Sequence, residues 1–228
     1  MKQFISLILV ITLFSCSNSN SDKNFIVNGK ITGFKKGTIY LEKIDSLKLI
    51  VVDSVHLDNG TETFQFAKNI KEPEMFILSV NKSRTKQLYF FGEHGIINIQ
   101  TNIDAFYANA KISGSKLQEL LENYQDYIKR FQDENLDLIK NKFESQKHND
   151  FAAVEEIENK RLRNLKRMYL FSANYAIINK DNEIGPYIAY AKMDQAAPQL
   201  KQKIYNELSE SMKKSKYGIL LKSTLETK

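Results

Sequence analysis

The chain has 228 residues, of which 42% are hydrophobic and 11% aromatic, enough to bury the core of one large domain or two small ones. Its formal net charge of +6 is spread along the sequence and not gathered in a basic stripe, which argues against a nucleic-acid-binding function. Cys16 is the single cysteine, so an internal disulfide and any site that needs two thiols are excluded.

The first 24 residues are predicted to export and anchor the chain. Residues 1–15 have the basic start and short apolar run of a signal peptide, and that run is too short to span a bilayer. The run ends in Leu13-Phe14-Ser15-Cys16, which resembles the bacterial lipobox. This resemblance implies cleavage before Cys16 and its lipidation with diacylglycerol and a fatty acid such as palmitate. Residues 16–24 then form the lipidated cysteine and a flexible polar tether.

The predicted anchor places the protein in the cell envelope, bound to a membrane through lipid. Ser17, which follows the cysteine, does not resemble an inner-membrane retention signal, so we expect the outer membrane, with the leaflet left open. A secretory signal with an incidental cysteine is the alternative interpretation of the same residues.

Residues 25–114 are predicted to form an antiparallel β-domain. About eight short runs rich in β-branched and aromatic residues are separated by turn residues, a spacing typical of a sandwich or a barrel. Asp58-Asn59-Gly60 predicts a hairpin, because Asn-Gly supplies the positive φ angles that a tight hairpin turn needs.

Residues 115–228 are predicted to be mostly α-helical, which makes the fold class α+β. Ser115 and Gln118 have the spacing of a capping box, and apolar residues then recur every three or four positions. A polar break is expected at residues 145–150, a new helix at Pro198, and an interruption at Gly218. The apolar stripes, which include Leu162 and Leu165 on the second helix, are expected to be core or domain-packing faces, and a specific ligand groove is the alternative.

One dense basic stretch, residues 160–167, follows Glu155, Glu156 and Glu158 along the predicted second helix. Acidic and basic residues three or four positions apart pair on a helix surface, so a solvated, ion-paired face is expected. Contact with an anionic lipid or another acidic surface is the alternative.

Several short motifs resemble the β-domain of unknown function, with its helical linker, that precedes thioredoxin-like domains in lipoproteins of the Bacteroidota. The matching residues include Phe25, Val27, Gly29, Ile31 and Gly33, Val52-Asp53-Ser54-Val55, Phe91-Gly92-Glu93, Ser113-Gly114-Ser115, and residues 184–187 and 215–218. The long members continue into a thioredoxin fold with a Cys-x-x-Cys motif. That motif is absent here, so the resemblance implies no redox residue in this sequence.

The residues give weak signals for chemistry. His56, His94 and His148 lack metal-ligand spacing, so no catalytic, cofactor or metal site is predicted. Asp45-Ser46-Leu47 and Asp53-Ser54-Val55 resemble O-glycosylation sites of exported Bacteroidota proteins, with Ser46 and Ser54 as the acceptors.

Three functions remain open. We favour a non-enzymatic binding or interaction module that is bound to the membrane through its lipid anchor and has an envelope protein as partner. The second is an accessory or truncated part of a thiol-disulfide redox system, whose thioredoxin-like domain is a separate partner or lost. The third is a cryptic carboxylate-dependent hydrolase that uses Glu93 and Asp53.

The Cys16→Ser variant is expected to lose its lipid and leave the membrane fraction, because each buried methylene of an acyl chain contributes about 0.8 kcal/mol to anchoring. Incorporation of radiolabelled palmitate and detergent-phase partitioning measure this. The Ser17→Ala variant is the matched control and should label normally, whereas palmitate retained by Cys16→Ser would contradict the prediction.

Overall fold

The computed structural model describes residues 22–45, 48–58 and 60–226. The predicted signal peptide, Cys16, Ser46 and Asn59 lie outside these residues. The described residues form eight strands and six helices: β1 (Phe25–Thr32), β2 (Gly37–Asp45), β3 (Lys48–Leu57), β4 (Thr63–Lys68), β5 (Glu74–Val80), β6 (Gln87–Gly92), β7 (Gly95–Asn102), β8 (Lys111–Ser113), α1 (Lys116–Lys147), α2 (Phe151–Ile178), α3 (Ile184–Ala191), α4 (Pro198–Glu207), α5 (Glu210–Lys213) and α6 (Lys216–Glu226).

The strands form two four-stranded sheets, with the orders β4-β1-β7-β8 and β3-β2-β5-β6. Strands β1 and β7 pair in parallel, whereas the other pairings among the described residues are antiparallel. The predicted α+β class, with an N-terminal β-region followed by helices, is confirmed. The two sheets face each other, so the architecture is a sandwich and not a closed barrel.

Alternating apolar residues fill the space between the two sheets. The side chains of Phe25 and Val27 in β1 have no exposed surface, and the intervening Ile26 is half-buried on the other face. Across the sandwich, the ring of Phe25 stacks on that of Phe76 in β5, with centroids 4.8 Å apart. Full burial of such a side chain stabilises the fold by about 1.5–3 kcal/mol, so this aromatic layer holds the sheets together.

Strands β3 and β4 do not pair with each other, so the predicted hairpin is wrong. Strand β3 pairs with β2 and strand β4 pairs with β1, so the chain passes from one sheet to the other between β3 and β4. Gly60 does adopt a positive φ of 74°, as the sequence indicated. The prediction was wrong about the pairing because a turn residue fixes the direction of the chain locally, whereas contacts across the sandwich select the partner strand.

Helices α1 and α2 form a long antiparallel hairpin. Helix α1 has 32 residues and is therefore about 48 Å long, and the chain reverses at His148, Asn149 and Asp150, within the predicted break. The backbone N–H of Gln118 donates to Ser115 Oγ at 3.0 Å, which is one half of the predicted capping box. The side chain of Gln118 does not return to Ser115 but accepts from the backbone N–H of Phe91 at 2.9 Å.

The outer face of β5 and β6 packs on the helices. Phe91 of β6 contacts the rings of Tyr187 and Tyr217 edge-on, at centroid distances of 5.4 and 6.1 Å. The backbone N–H of Met75 donates to Tyr217 Oη at 2.8 Å, and Lys216 forms an ion pair with the buried Glu74. Burial raises the pKa of Tyr187 to about 12, because the junction excludes solvent and disfavours the charged phenolate.

Gly218 does not interrupt a helix as predicted. It lies inside α6 and is buried against the short helix α5, where an added Cβ would sit 1.9 Å from the carbonyl oxygen of Met212. The glycine is thus a close-packing residue, which a sequence pattern does not distinguish from a helix breaker. In the described parts of the chain, no helix is both long and apolar enough to cross a membrane.

The Gly218→Ala variant is expected to lower the free energy of unfolding by about 2 kcal/mol or more, because the new methyl group forces the α5 backbone away. Denaturant unfolding followed by circular dichroism measures the loss. The next residue, Ile219, is 58% exposed, so Ile219→Ala should stay within about 0.5 kcal/mol of wild type. Equal stability of the two variants would contradict the packing role.

Candidate functional site

The carboxylate of Glu93 caps a helix. Glu93 lies in the turn between β6 and β7, and its Oε1 accepts a hydrogen bond from the backbone N–H of Leu117 at 3.1 Å. Leu117 is in the first turn of α1, where backbone N–H groups lack partners within the helix and the helix dipole favours negative charge. Glu93 therefore helps to fix α1 on the sandwich.

Asp53 is also held by local contacts. Its Oδ2 lies 2.8 Å from Lys68 Nζ, and its Oδ1 accepts from the backbone N–H of Ser54 at 2.8 Å. Asp53 lies in β3 and Glu93 directly follows β6, and these strands are the two edges of one four-stranded sheet. Three strand spacings separate them, at least about 14 Å, so the structure does not bring the two carboxylates together.

The histidines lie apart from one another. His56 Nδ1 is 3.1 Å from Thr38 Oγ1, and His94 Nε2 is 3.2 Å from the carbonyl oxygen of Ile70. His148 ends α1. Within residues 22–45, 48–58 and 60–226, no group of three or more His, Cys, Asp or Glu side chains is placed to hold a metal ion.

Acidic side chains meet where the sandwich turns contact the start of α3. Burial raises the pKa of Glu183, the nearby Glu72 and Glu93 carboxylates raise it further, and His94 lowers it. Glu72 is itself held, because its Oε2 accepts from the backbone N–H of Lys216 at 2.8 Å. This cluster lies between the sandwich and the helices, and the hydrogen bonds of Glu72 and Glu93 to helix backbones give these two carboxylates a structural role.

A polar cleft opens between α1 and α2. It has a volume of 380 Å³, and we call it the α1/α2 cleft; its lining includes Phe131, Asn135, Glu158, Arg161, Asn164 and Met168. Asn164, which is only 3% exposed, donates from Nδ2 to the carbonyl oxygen of Phe131 at 2.8 Å. Its Oδ1 is buried and has no hydrogen-bond partner among the described residues.

Charged side chains surround Asn164. Arg161 donates from Nε to Asn135 Oδ1 at 3.1 Å and from Nη1 to both carboxylate oxygens of Glu158, each at 3.1 Å. Lys142 on α1 also contacts Glu158. Two cations thus face one carboxylate, and the hydrogen bonds of Asn164 and Arg161 join the two helices.

An apolar groove adjoins the cleft. It has a volume of 550 Å³ and lies between α2 and α4, and we call it the α2/α4 groove; its lining includes Leu162, Leu165, Tyr169, Leu170, Leu200 and Lys203. The cleft and the groove share Leu162, Leu165 and Gln195. The expectation that Leu162 and Leu165 belong to a core face was wrong, because these side chains are 63% and 40% exposed.

The basic stretch of α2 is largely ion-paired, as predicted. Lys160 lies 2.7 Å from Glu156, Arg161 pairs with Glu158, and Arg167 reaches Glu134 on α1 at 3.3 Å. The sequence revealed the pairs within α2, whereas the contact with α1 depends on the hairpin. Ser54 is exposed, and its glycosylation stays a prediction.

Comparison with known proteins gives a family match for the sandwich. Residues 25–121 match the family model of a domain of unknown function, DUF4369. The match covers all eight described strands and the first residues of α1, and it leaves the α1/α2 cleft and the α2/α4 groove outside. No curated protein and no solved structure matches the chain. The resemblance to a β-domain of unknown function is thus confirmed, and its association with thioredoxin-like domains stays a prediction.

The Glu183→Gln variant is expected to raise the free energy of unfolding at pH 7 by up to about 1 kcal/mol. The pKa of Glu183 in the folded state is raised above its ordinary value. The protonated side chain therefore stabilises the fold at a pH below the ordinary pKa. This contribution is lost as the pH rises through the folded-state pKa. Unfolding curves at pH 4 and pH 7 should therefore show the advantage of Gln only at pH 7. Glu207→Gln, at an exposed position, is the control, and an advantage that is equal at both pH values would contradict the assignment.

Proposed function

We propose that the protein is a lipid-anchored, non-catalytic binding module of the cell envelope, most consistent with an outer-membrane location, and that its helical half binds a protein partner. The observation that carries this proposal is the exposed apolar α2/α4 groove, which is continuous with the polar α1/α2 cleft. The lipobox-like sequence at Cys16 and the polar tether after it supply the anchor.

The groove has the properties of a binding surface. Leu162 and Leu170 are 63% and 47% exposed on one side of α2, and contiguous exposed apolar residues of this kind mark interaction sites. The volume of 550 Å³ falls in the range of about 300–1,000 Å³ that is usual for ligand sites. Lys166 and Lys203 lie at its margin, so an apolar partner segment with acidic residues complements it.

The contacts of the carboxylates support a role without catalysis. Glu93 accepts from a helix N–H and Asp53 from Lys68, so both side chains have structural partners. A pair of carboxylates that hydrolyses a glycosidic bond lies about 5–10 Å apart, whereas the backbones of the two edge strands are at least about 14 Å apart.

A second apolar surface competes with the groove as a candidate. At the end of the β2–β3 hairpin, Ile44, Leu49 and Val51 are 47–51% exposed. These residues lie on one face of paired strands, since Ile44 pairs directly with Leu49 and Glu42 with Val51. We favour the groove because concave surfaces bury more of a bound segment than a flat strand face does.

Site-specific photo-cross-linking in living cells tests the proposal. A photoreactive phenylalanine is placed at Leu162 or Leu170 in the groove, at Leu49 on the hairpin, and at the exposed polar control position Gln100. The groove positions are expected to capture a specific envelope protein, identified by mass spectrometry, and Gln100 should capture none. Capture of a thioredoxin-fold protein would identify the partner of a redox system.

Loss of the anchor provides a second control. The same groove positions combined with Cys16→Ser should give much less cross-linked product, because the partner and the module no longer share a membrane. A partner captured at Leu49 and never at Leu162 or Leu170 would overturn the assignment of the binding surface to the helices.

A further inference from the structure

The unpartnered oxygen of Asn164 indicates the chemistry that the α1/α2 cleft recognises. We propose that the cleft binds an extended peptide segment, with the backbone N–H of one residue donating to Asn164 Oδ1 and the C=O of the same residue accepting from Arg161. This inference rests on the proposed function, because it takes the bound segment to be the one that also fills the α2/α4 groove.

The side-chain amide of Asn164 has a defined orientation. Its Nδ2 donates to the carbonyl oxygen of Phe131 at 2.8 Å, and the reverse orientation would place two acceptors against each other. The oxygen is therefore the atom left without a partner. A buried acceptor without a hydrogen bond costs about 1–3 kcal/mol, so a ligand that donates a hydrogen bond to it recovers that free energy on binding.

Arg161 supplies the complementary donors. Residues 161 and 164 are three positions apart on α2, so their side chains lie on one face of the helix. The guanidinium uses Nε and Nη1 for Asn135 and Glu158, and no described residue accepts from Nη2. In an extended peptide the N–H and the C=O of one residue point to the same side, as they do in a sheet, so an acceptor and a donor on one helix face match that pair of groups.

The adjoining groove favours a peptide over other sources of an amide. An N-acetylated amino sugar offers the same amide but presents hydroxyl groups to its surroundings, whereas Leu162 and Leu165 lie at the border between cleft and groove. A peptide places an apolar side chain next to each amide. Because Asn164 Oδ1 is buried, binding requires a shift of the cleft lining, and the unbranched side chain of Met168 in that lining is flexible enough to rotate.

A matched pair of small probes tests the role of the amide N–H. Isovaleryl-leucine has one secondary amide between two apolar groups and carries a carboxylate, and its ester analogue replaces the N–H with oxygen. Ligand-observed NMR titration of the full chain in detergent gives both dissociation constants. We expect the amide to bind at least five-fold more tightly than the ester, since one neutral hydrogen bond contributes about 1 kcal/mol.

Variants assign the effect to the cleft. Asn164→Leu should bind the amide and the ester equally, because it removes the acceptor. It also removes the hydrogen bond to the carbonyl oxygen of Phe131, so circular dichroism checks that the variant is folded. Arg161→Gln should weaken both probes by a similar factor. Asn123→Leu, the same substitution at an exposed position of α1, should preserve the five-fold preference.

The outcomes separate the two proposals. Equal affinity of wild type for the amide and the ester, or no binding of either, overturns the amide site even if cross-linking at Leu162 captures a partner. A preference for the amide without any cross-linked partner supports the cleft and overturns the proposed protein partner. Tighter binding of N-acetylglucosamine than of isovaleryl-leucine overturns the choice of a peptide.

Discussion

Phe90 and Phe91 join the two halves of the molecule, because neighbouring residues of a strand point to opposite faces of a sheet. Both side chains have no exposed surface: Phe90 packs in the core of the sandwich, and Phe91 packs against the aromatic residues of α3 and α6. The backbone N–H of Phe91 also donates to Gln118 on α1. One dipeptide thus fixes strand β6 in the sandwich and the helices on its outer face.

The helices that contact Phe91 also position the candidate site. Glu93, two residues further on, caps α1, and Tyr217 binds the backbone of Met75, so both ends of the helical region are attached to the same two strands. The attachment orders the proximal part of the α1–α2 hairpin. Further out, α1 and α2 contact chiefly each other, and this is where the cleft opens.

The sequence predicted the strands and helices better than it predicted how they pair and pack with one another. Alternating apolar residues located the strands, since the buried face of a sandwich requires that pattern, and Ser115 marked the start of α1 through its capping bond. The parallel pairing of β1 with β7 and the change of sheet after Asp58 depend on contacts between distant residues. Gly218 shows the same limit, because the close approach that requires a glycine comes from another helix.

The candidate site was harder to predict, because the sequence does not show which apolar residues of a helix are buried and which are exposed. Ile157 and Leu162 are both apolar residues of α2, yet Ile157 is 8% exposed and Leu162 is 63% exposed. The placement of α1 and α4 decides which residues are covered, and no local pattern encodes that placement. Asn164 gave no signal at all, since a lone asparagine within a helix is usually solvated.

A buried polar contact between two helices is a costly way to hold them together. An apolar residue in place of Asn164 would leave no acceptor unpaired, and apolar packing between α1 and α2 would contribute more stability than bonds to side-chain amides. Further along α2, the apolar side chains of Ala173 and Ala176 are buried, so apolar packing holds the hairpin where it meets the core. The polar character of the α1/α2 cleft is therefore a local feature that stability alone does not require, and the proposed recognition of a polar group on a ligand would give it a role.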